Sequence, residues 1–461
     1  MYVLIFIHKK KQHKELFMAT NRRTFLKQLS ALSAAPFILP STIWSATDKP
    51  NDCITMGFIG MGTQGRSLIN AFLNHRRCRV LAVCDVDTTR RTGQQERVNQ
   101  FYAAKPEIGA PECAAYNDFR ELIARDDIDA VCIATPDHWH TVQVIAALQA
   151  GKDVYCEKPL THNIHESIAI MNAVKKHKRV LQTGSMQRSM REFRVACELV
   201  QNGAIGKIDH VECSFGPPGV PCDLPEEEME PGLDWDMWVG PAQMRPYSSV
   251  LSPRGVHTHF PDWRNYKEFG GGMVCDWGAH HLDIAQWGLG MDNSGPDEVL
   301  PPEDPNATSG AVLRYGKDVT VIHKSGFGVH FFGADGEVKV NRGKIEFWRA
   351  GEKLAGFVSR DDGGSLGATI SQIEKEFLAD AKIRLYESVD HIRNFLDCVE
   401  SREKPITDEE VGGRSGICCH LLNQAYYNHE VIKWHPQRMR FRRNSGKPEW
   451  LTRDYRAPWI V

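Results

Sequence analysis

The feature that most constrains this chain is an apolar run, Cys53–Ile59, that ends directly in Gly60-Met61-Gly62-Thr63-Gln64-Gly65. A helical pattern follows, with Leu68, Ile69, Phe72 and Leu73 on one side. A second apolar run, Arg79–Cys84, then stops at Asp85. A GxGxxG string alone says little. Between a strand and a helix, with an acid closing the next strand, it marks a dinucleotide-binding turn. Gly60 permits the tight turn, Gly62 lets the backbone approach a pyrophosphate, and Gly65 allows close helix–strand packing. The helix start, carrying Thr63 and Gln64, offers unpaired N–H groups to phosphates. Asp85 is placed to accept hydrogen bonds from the adenosine ribose and repels a 2′-phosphate, which favours NAD. Arg90 and Arg91 close behind keep NADP open as an alternative.

Three further apolar runs, Ala130–Ala134, Val154–Cys156 and Val180–Leu181, alternate with helical stretches. That alternation predicts a parallel sheet with crossover helices. Two of the runs end in polar segments, Thr135-Pro136-Asp137-His138 and Glu157-Lys158-Pro159. Ligands in such sheets bind outside the carboxyl ends of the strands. Thr135, Pro136, His138, Glu157 and Lys158 are therefore expected beside the cofactor, with His140 supporting the helix start.

Composition bounds the remainder. The 461 residues allow two or three domains. Lys+Arg 56 against Asp+Glu 58 leaves a net charge of −2, so nothing points to nucleic acid or an anionic membrane. No apolar run reaches the roughly 18 residues of a membrane span. The 13 cysteines include no CxxC pair, and no metal site is expected. Residues 20–46 combine Arg22-Arg23, an Ala/Leu-rich centre and a small-residue end at Trp44-Ser45-Ala46. This layout resembles a twin-arginine export signal, with a periplasmic destination. Residues 1–17 fit poorly before such a signal, which leaves Met1 and Met18 as alternative starts.

Glu157-Lys158-Pro159 after a strand, behind a GxGxxG turn, resembles the glucose–fructose oxidoreductase/inositol dehydrogenase (Gfo/Idh/MocA) family. So does the distant segment Gly270-Gly271-Gly272-Met273-Val274-Cys275-Asp276-Trp277-Gly278-Ala279-His280-His281-Leu282-Asp283. The resemblance covers about residues 50–461, including a C-terminal helix at Val389–Glu400, and is greatest to exported, Bacteroidetes-like members. It implies an N-terminal Rossmann domain (50–184) and an α+β domain (185–461) on a large, mostly antiparallel open sheet. Residues 311–349 agree independently, alternating apolar and polar residues around glycine turns. The free face of that sheet is expected to be apolar and to support a homo-oligomer. Residues 216–262, rich in proline and acids, read as a long loop covering the substrate.

Asp276 and His280 stand four apart, which places them on one face of a helix. Removing a hydride from an alcohol carbon requires loss of the hydroxyl proton, and histidine accepts protons near neutral pH. Asp276 is placed to orient the imidazole or to bind a substrate hydroxyl. Lys158 offers a cation for developing alkoxide charge. The family resemblance assigns Lys158, Asp276 and His280 to the catalytic site, with His280 as acid/base. Gln187, Arg188, His259, Trp263, Arg264, Trp277 and His281 are weaker substrate candidates. Five tryptophans near the second signature (235, 238, 263, 277 and 287) suit stacking on sugar rings or simply core packing. The expectation is an enzyme: an NAD(P)-dependent oxidoreductase acting on a hydroxyl or ketone of a sugar, glycoside or polyol, with tightly held cofactor and C3 oxidation of a glycoside as one form. The alternatives are a glycosidase that oxidises its substrate transiently and a non-catalytic NAD-binding protein.

Overall fold

The computed structural model describes residues 53–461; the leader expected over residues 1–46 lies outside them. Six strands form the first sheet: β1 (Ile54–Ile59), β2 (Cys78–Cys84), β3 (Ala114–Tyr116), β4 (Ala130–Ile133), β5 (Asp153–Cys156) and β6 (Leu181–Thr183). Their order is β3-β2-β1-β4-β5-β6, and every pair is parallel. The chain order reverses between β1 and β4, so their carboxyl ends open a crevice at that point. All four β4 residues and all four β5 residues are buried, as expected of strands covered on both faces. Helix Thr63–Leu73 buries Leu68, Ile69, Phe72 and Leu73, the stripe read from the sequence.

The second sheet has ten strands. They are β7 (Ile208–Cys213), β8 (Glu298–Leu300), β9 (Val312–Tyr315), β10 (Val319–His323), β11 (Val329–Gly333), β12 (Gly336–Asn341), β13 (Lys344–Arg349), β14 (Glu352–Phe357), β15 (Ile432–His435) and β16 (Arg440–Phe441). All its pairings are antiparallel except β7–β10. One face carries Val211, Val321, Phe331, Val338 and Phe347 into the core with helices Arg191–Gln201 and Gly278–Gly288. The register puts Phe332 opposite Glu337 and His210, and Glu337 opposite Trp348, on the other face. Lys339 pairs there with Glu337 at 3.4 Å. That face is mixed in polarity, not the apolar surface expected, because charged side chains alternate with the aromatic ones.

Two elements join the sheets. Helix Glu409–Asn428 contributes to the core beneath the second sheet and packs on helix Ile164–His177 of the first. The C-terminal tail returns to the first sheet, where Arg453 and Tyr455 bond to the buried Glu166 and Trp459 stacks edgewise on Trp139. The C-terminal helix expected over Val389–Glu400 occupies His391–Ser401, capped by the Asp390 carboxylate. None of the helices among the described residues is long and apolar enough to cross a membrane.

Candidate active site

A cavity of about 440 Å³ begins at the glycine turn and ends beside helix Gly278–Gly288. Gly60, at φ +90°, turns the chain where a side chain would strike the backbone of Ala134 and Thr135 at 2.7 Å. A Cβ on Gly65 would lie 1.8 Å from the Gly60 carbonyl oxygen, so only glycine lets the helix follow the strand this closely. Gly62 lines the cavity, and a Cβ there would meet nothing within 4 Å. The open space lies on the side from which a pyrophosphate would approach, so the turn fits a dinucleotide. Asp85 closes β2 beside it. Its carboxylate accepts from Met61 N at 2.6 Å and Asp87 N at 2.8 Å, while burial pushes its pKa up against Arg90 and those amides.

Thr63, Gln64, Thr135, Pro136, Glu157 and Lys158 also line the cavity. Gln64 donates to Glu157 at 2.9 Å, tying the glycine turn to the end of β5. His138 departs from expectation: it faces away, fully buried, its Nε2 bonded to the Trp238 carbonyl at 3.1 Å. Phe269 and Trp238 enclose its ring, and burial lowers its pKa to about 3. His140 bridges the Thr135 and Pro159 carbonyl oxygens, as a support for the turn would.

At the far end Lys158 and His280 line the same cavity, one from the first sheet and one from the second half of the chain. The helix expected to carry Asp276 and His280 together is interrupted. It runs Gly272–Asp276, breaks at Trp277 and resumes at Gly278–Gly288. Asp276 turns to Lys158, whose Nζ donates to Oδ1 at 2.6 Å and to the Asp276 carbonyl at 3.0 Å. Arg264 Nε stands 3.5 Å from the same carboxylate. Burial opposes ionisation of Asp276, but the two cations outweigh it and hold the carboxyl below its usual range. The interruption explains why Asp276 does not orient the imidazole, as sequence spacing suggested. His280 Nδ1 is buried without a hydrogen-bond partner. Burial first, then the charges of Lys158 and Arg342, push its pKa well below that of free histidine, so the imidazole is neutral at pH 7.

Among the weaker candidates, Trp263, Arg264 and Trp277 line the cavity. Gln187 lies just behind: its amide donates to the His280 carbonyl at 3.3 Å and accepts from Arg342 Nε at 3.1 Å. Arg188 does not reach the cavity. It is buried between Asp283 (2.8 Å) and Asp292 (2.7 Å), an ion cluster under the helix. His281, one step round from His280, points to the sheet and bonds the Ser214 carbonyl at 2.5 Å. His259 is exposed, and its carbonyl oxygen accepts from Thr63 Oγ1 at 2.8 Å. Of the five tryptophans, only 238, 263 and 277 line the cavity; Trp287 packs in the core, and Trp235 stacks on Trp238 at 4.6 Å.

The loop at residues 216–262 covers more of the nucleotide end than expected. Pro253, His257 and Phe260 line the cavity. Arg90 binds the Pro253 and Gly255 carbonyl oxygens, and Arg66 binds that of His257. Sequence reasoning missed Asp137, Arg342 and this loop contact as parts of the cavity. Asp137 was signalled by its place in the polar segment after β4. Arg342 carried no signal, being one cation in a glycine-containing hairpin turn.

Two family models match the chain. The first, "Oxidoreductase family, NAD-binding Rossmann fold", covers residues 54–185. The second, "Oxidoreductase family, C-terminal alpha/beta domain", covers residues 219–461. The chain belongs to the Gfo/Idh/MocA oxidoreductase family, and its first sheet is an NAD-binding Rossmann domain. It is 31% identical over 165 residues to a glycosyl hydrolase family 109 protein of Saccharopolyspora erythraea, covering 35% of this chain and 34% of that one. It is 35% identical over 128 residues to an inositol 2-dehydrogenase of Rhodococcus jostii, covering 27% and 35%. The chain thus spans about a third of the length of these curated relatives. In fold it is similar to the WlbA dehydrogenase from Bordetella pertussis, crystallised with NADH and UDP-GlcNAcA. That likeness has a TM-score of 0.56 at 17% identity and covers 84% of this chain and 99% of that one.

Proposed function

We propose that this protein oxidises a ring or chain hydroxyl of a sugar, glycoside or polyol, or reduces the corresponding ketone, with NAD as the redox partner. One observation carries the reading: a lysine from the end of β5 and a neutral histidine from Gly278–Gly288 line one cavity that begins at the dinucleotide turn. When bound, NAD supplies a two-electron hydride acceptor. His280, kept unprotonated by burial, accepts the hydroxyl proton as the carbinol carbon becomes a carbonyl. Lys158, held by Asp276, presents its ammonium to the oxygen that gains negative charge. Gly60, Gly62, Thr63, Gln64 and Asp85 hold the nucleotide; Trp263 and Trp277 offer aromatic faces to a sugar.

His280→Ala tests the reading. Nucleotide content should stay as in the parent, and turnover on the glycoside oxidised best should fall by at least about a hundredfold. Near-normal turnover would remove His280 from the chemistry. Likeness to a glycosyl hydrolase family 109 protein supports a second reading, in which oxidation is transient and ends in aglycone release. A p-nitrophenyl glycoside separates the two: the second reading requires released nitrophenol without net NAD reduction.

Arg66, Arg90 and Thr63 clasp the loop over the nucleotide end, which supports a cofactor retained through purification. Denatured protein should release about one nucleotide per chain; none released, with turnover only on added NAD, would refute retention. The Arg22-Arg23 leader supports export by the twin-arginine route; a reporter fused to residues 1–50 that stays inside the cell would refute it. Self-association through the mixed face of the ten-stranded sheet is proposed likewise, and a monomeric mass by light scattering would exclude it.

A further inference from the structure

Three cations face the end of the cavity that holds His280: Lys158, Arg264 and Arg342. Two are engaged. Lys158 lies on Asp276 at 2.6 Å. Arg264 shares that carboxylate at 3.5 Å and donates to the Pro261 carbonyl at 3.1 Å. Arg342 is different. It projects from the turn between β12 and β13, and among the described residues no carboxylate stands within ion-pairing distance of it. Its guanidinium lies over the Trp277 ring, 4.8 Å from the centroid. The fully buried Gln187 takes its Nε–H at 3.1 Å. Both supports fix the plane of the fork, and its two Nη groups have no protein acceptor among the described residues.

A pre-oriented guanidinium with a free pair of N–H groups matches a carboxylate in bidentate fashion. We propose that Arg342 is a specificity residue that binds a carboxylate on the substrate, so that the site prefers sugar acids, such as uronides, to their neutral counterparts. The inference rests on the dehydrogenase reading for which end of the cavity takes the sugar. Carboxylate is favoured over phosphate because Asp276 and Glu157 stand close enough to act on Arg342, and a dianion would meet more repulsion from them.

The test is calorimetric titration of NAD-loaded protein with paired methyl glycosides of the gluco, galacto and N-acetylglucosamine series. Each sugar is supplied with C6 as hydroxymethyl, carboxylate or phosphate ester. At least one uronide should bind about tenfold or more tighter than its neutral partner, the size expected of one charged hydrogen-bonded contact. Arg342→Gln should reduce that preference to about twofold or less with bound nucleotide unchanged, and Arg342→Lys should restore only part of it. His280→Ala should keep the preference while losing turnover. The proposal is overturned if no pair favours the acid, if the phosphate ester binds tighter than the uronide, or if Arg342→Gln keeps the preference. A preference that survives while no sugar reduces the nicotinamide would sink the dehydrogenase reading and leave the Arg342 assignment standing.

Discussion

Gly62 and Gly65 lie in one turn, three residues apart, yet a methyl group has opposite consequences at the two. At Gly65 the added carbon would fall 1.8 Å from the Gly60 carbonyl oxygen and 2.9 Å from its carbon. Both are backbone atoms, so no side-chain rotation relieves the overlap, and the strand–helix junction must move. Overpacking of this kind costs about 3 kcal/mol. The six-stranded half, residues 54–185, lies between the sizes at which each kcal/mol is worth about 4–8 °C and about 2–4 °C, so Gly65→Ala should lower its melting by roughly 10 °C. At Gly62 the backbone has φ −67°, which any L residue adopts, and an added Cβ meets nothing within 4 Å. Gly62→Val should therefore stay within about 1 kcal/mol of the parent, the scale of a changed helix cap. Its cost appears only with nucleotide, as a fall in NAD affinity of at least about tenfold from blocked approach of the pyrophosphate. The assay is thermal melting of nucleotide-free protein beside NAD titration followed by tryptophan fluorescence. A Gly65→Ala protein that melts like the parent would refute the close packing of helix on strand. A Gly62→Val protein destabilised as much as Gly65→Ala would show that the space above the turn is not reserved for a ligand.

Three further outcomes are expected. Because burial lowers the His280 pKa, its basic form persists to lower pH than in free histidine, so kcat/KM should hold below pH about 6.5; an acid limb at or above that value would count against His280 as the base. His138, with a pKa near 3, and His140, His281 and His391, near 4, are neutral when folded but take protons in the unfolded chain below about pH 6.5. Each therefore removes about 1.4 kcal/mol of stability per pH unit between those limits, and urea midpoints should fall from pH 6.5 to 4.5; a flat profile would contradict their burial. Arg188→Leu leaves Asp283 buried without its partner and should cost about 3–5 kcal/mol in urea unfolding, whereas a specificity change at unaltered stability would return Arg188 to the substrate site.

Much of the fold was legible because local chemistry forces it. The apolar β4 needs covering on both faces and is buried at every position, as is β5, where the one charge, Asp153, is paired with Arg179 and Arg402. The alternation across residues 311–349 becomes strands β9 to β13, whose inward residues meet the core helices, but not one meander: β7, from far earlier in the chain, inserts between β10 and β11 and runs parallel to β10. Sequence spacing failed where a helix stopped unexpectedly. Asp276 and His280 lie on successive short helices, so the carboxylate serves Lys158 instead of the imidazole. His138 and Arg188 have the residue types of a site but point into buried partners, which one-dimensional order does not reveal.

The sequence by itself determined the glycine turn, Asp85 at the next strand end and the two signatures with Lys158 and His280, because each depends on neighbours within a few residues. Tertiary structure alone decided which side chains share the cavity. Arg342 joins His280 only because β12 and β13 carry their turn to helix Gly278–Gly288, and the loop carbonyls of Pro253 and His257 reach the nucleotide end through Arg90, Arg66 and Thr63. Contacts between residues sixty or more positions apart follow from how the sheets and helices pack, and local sequence pattern does not encode that packing.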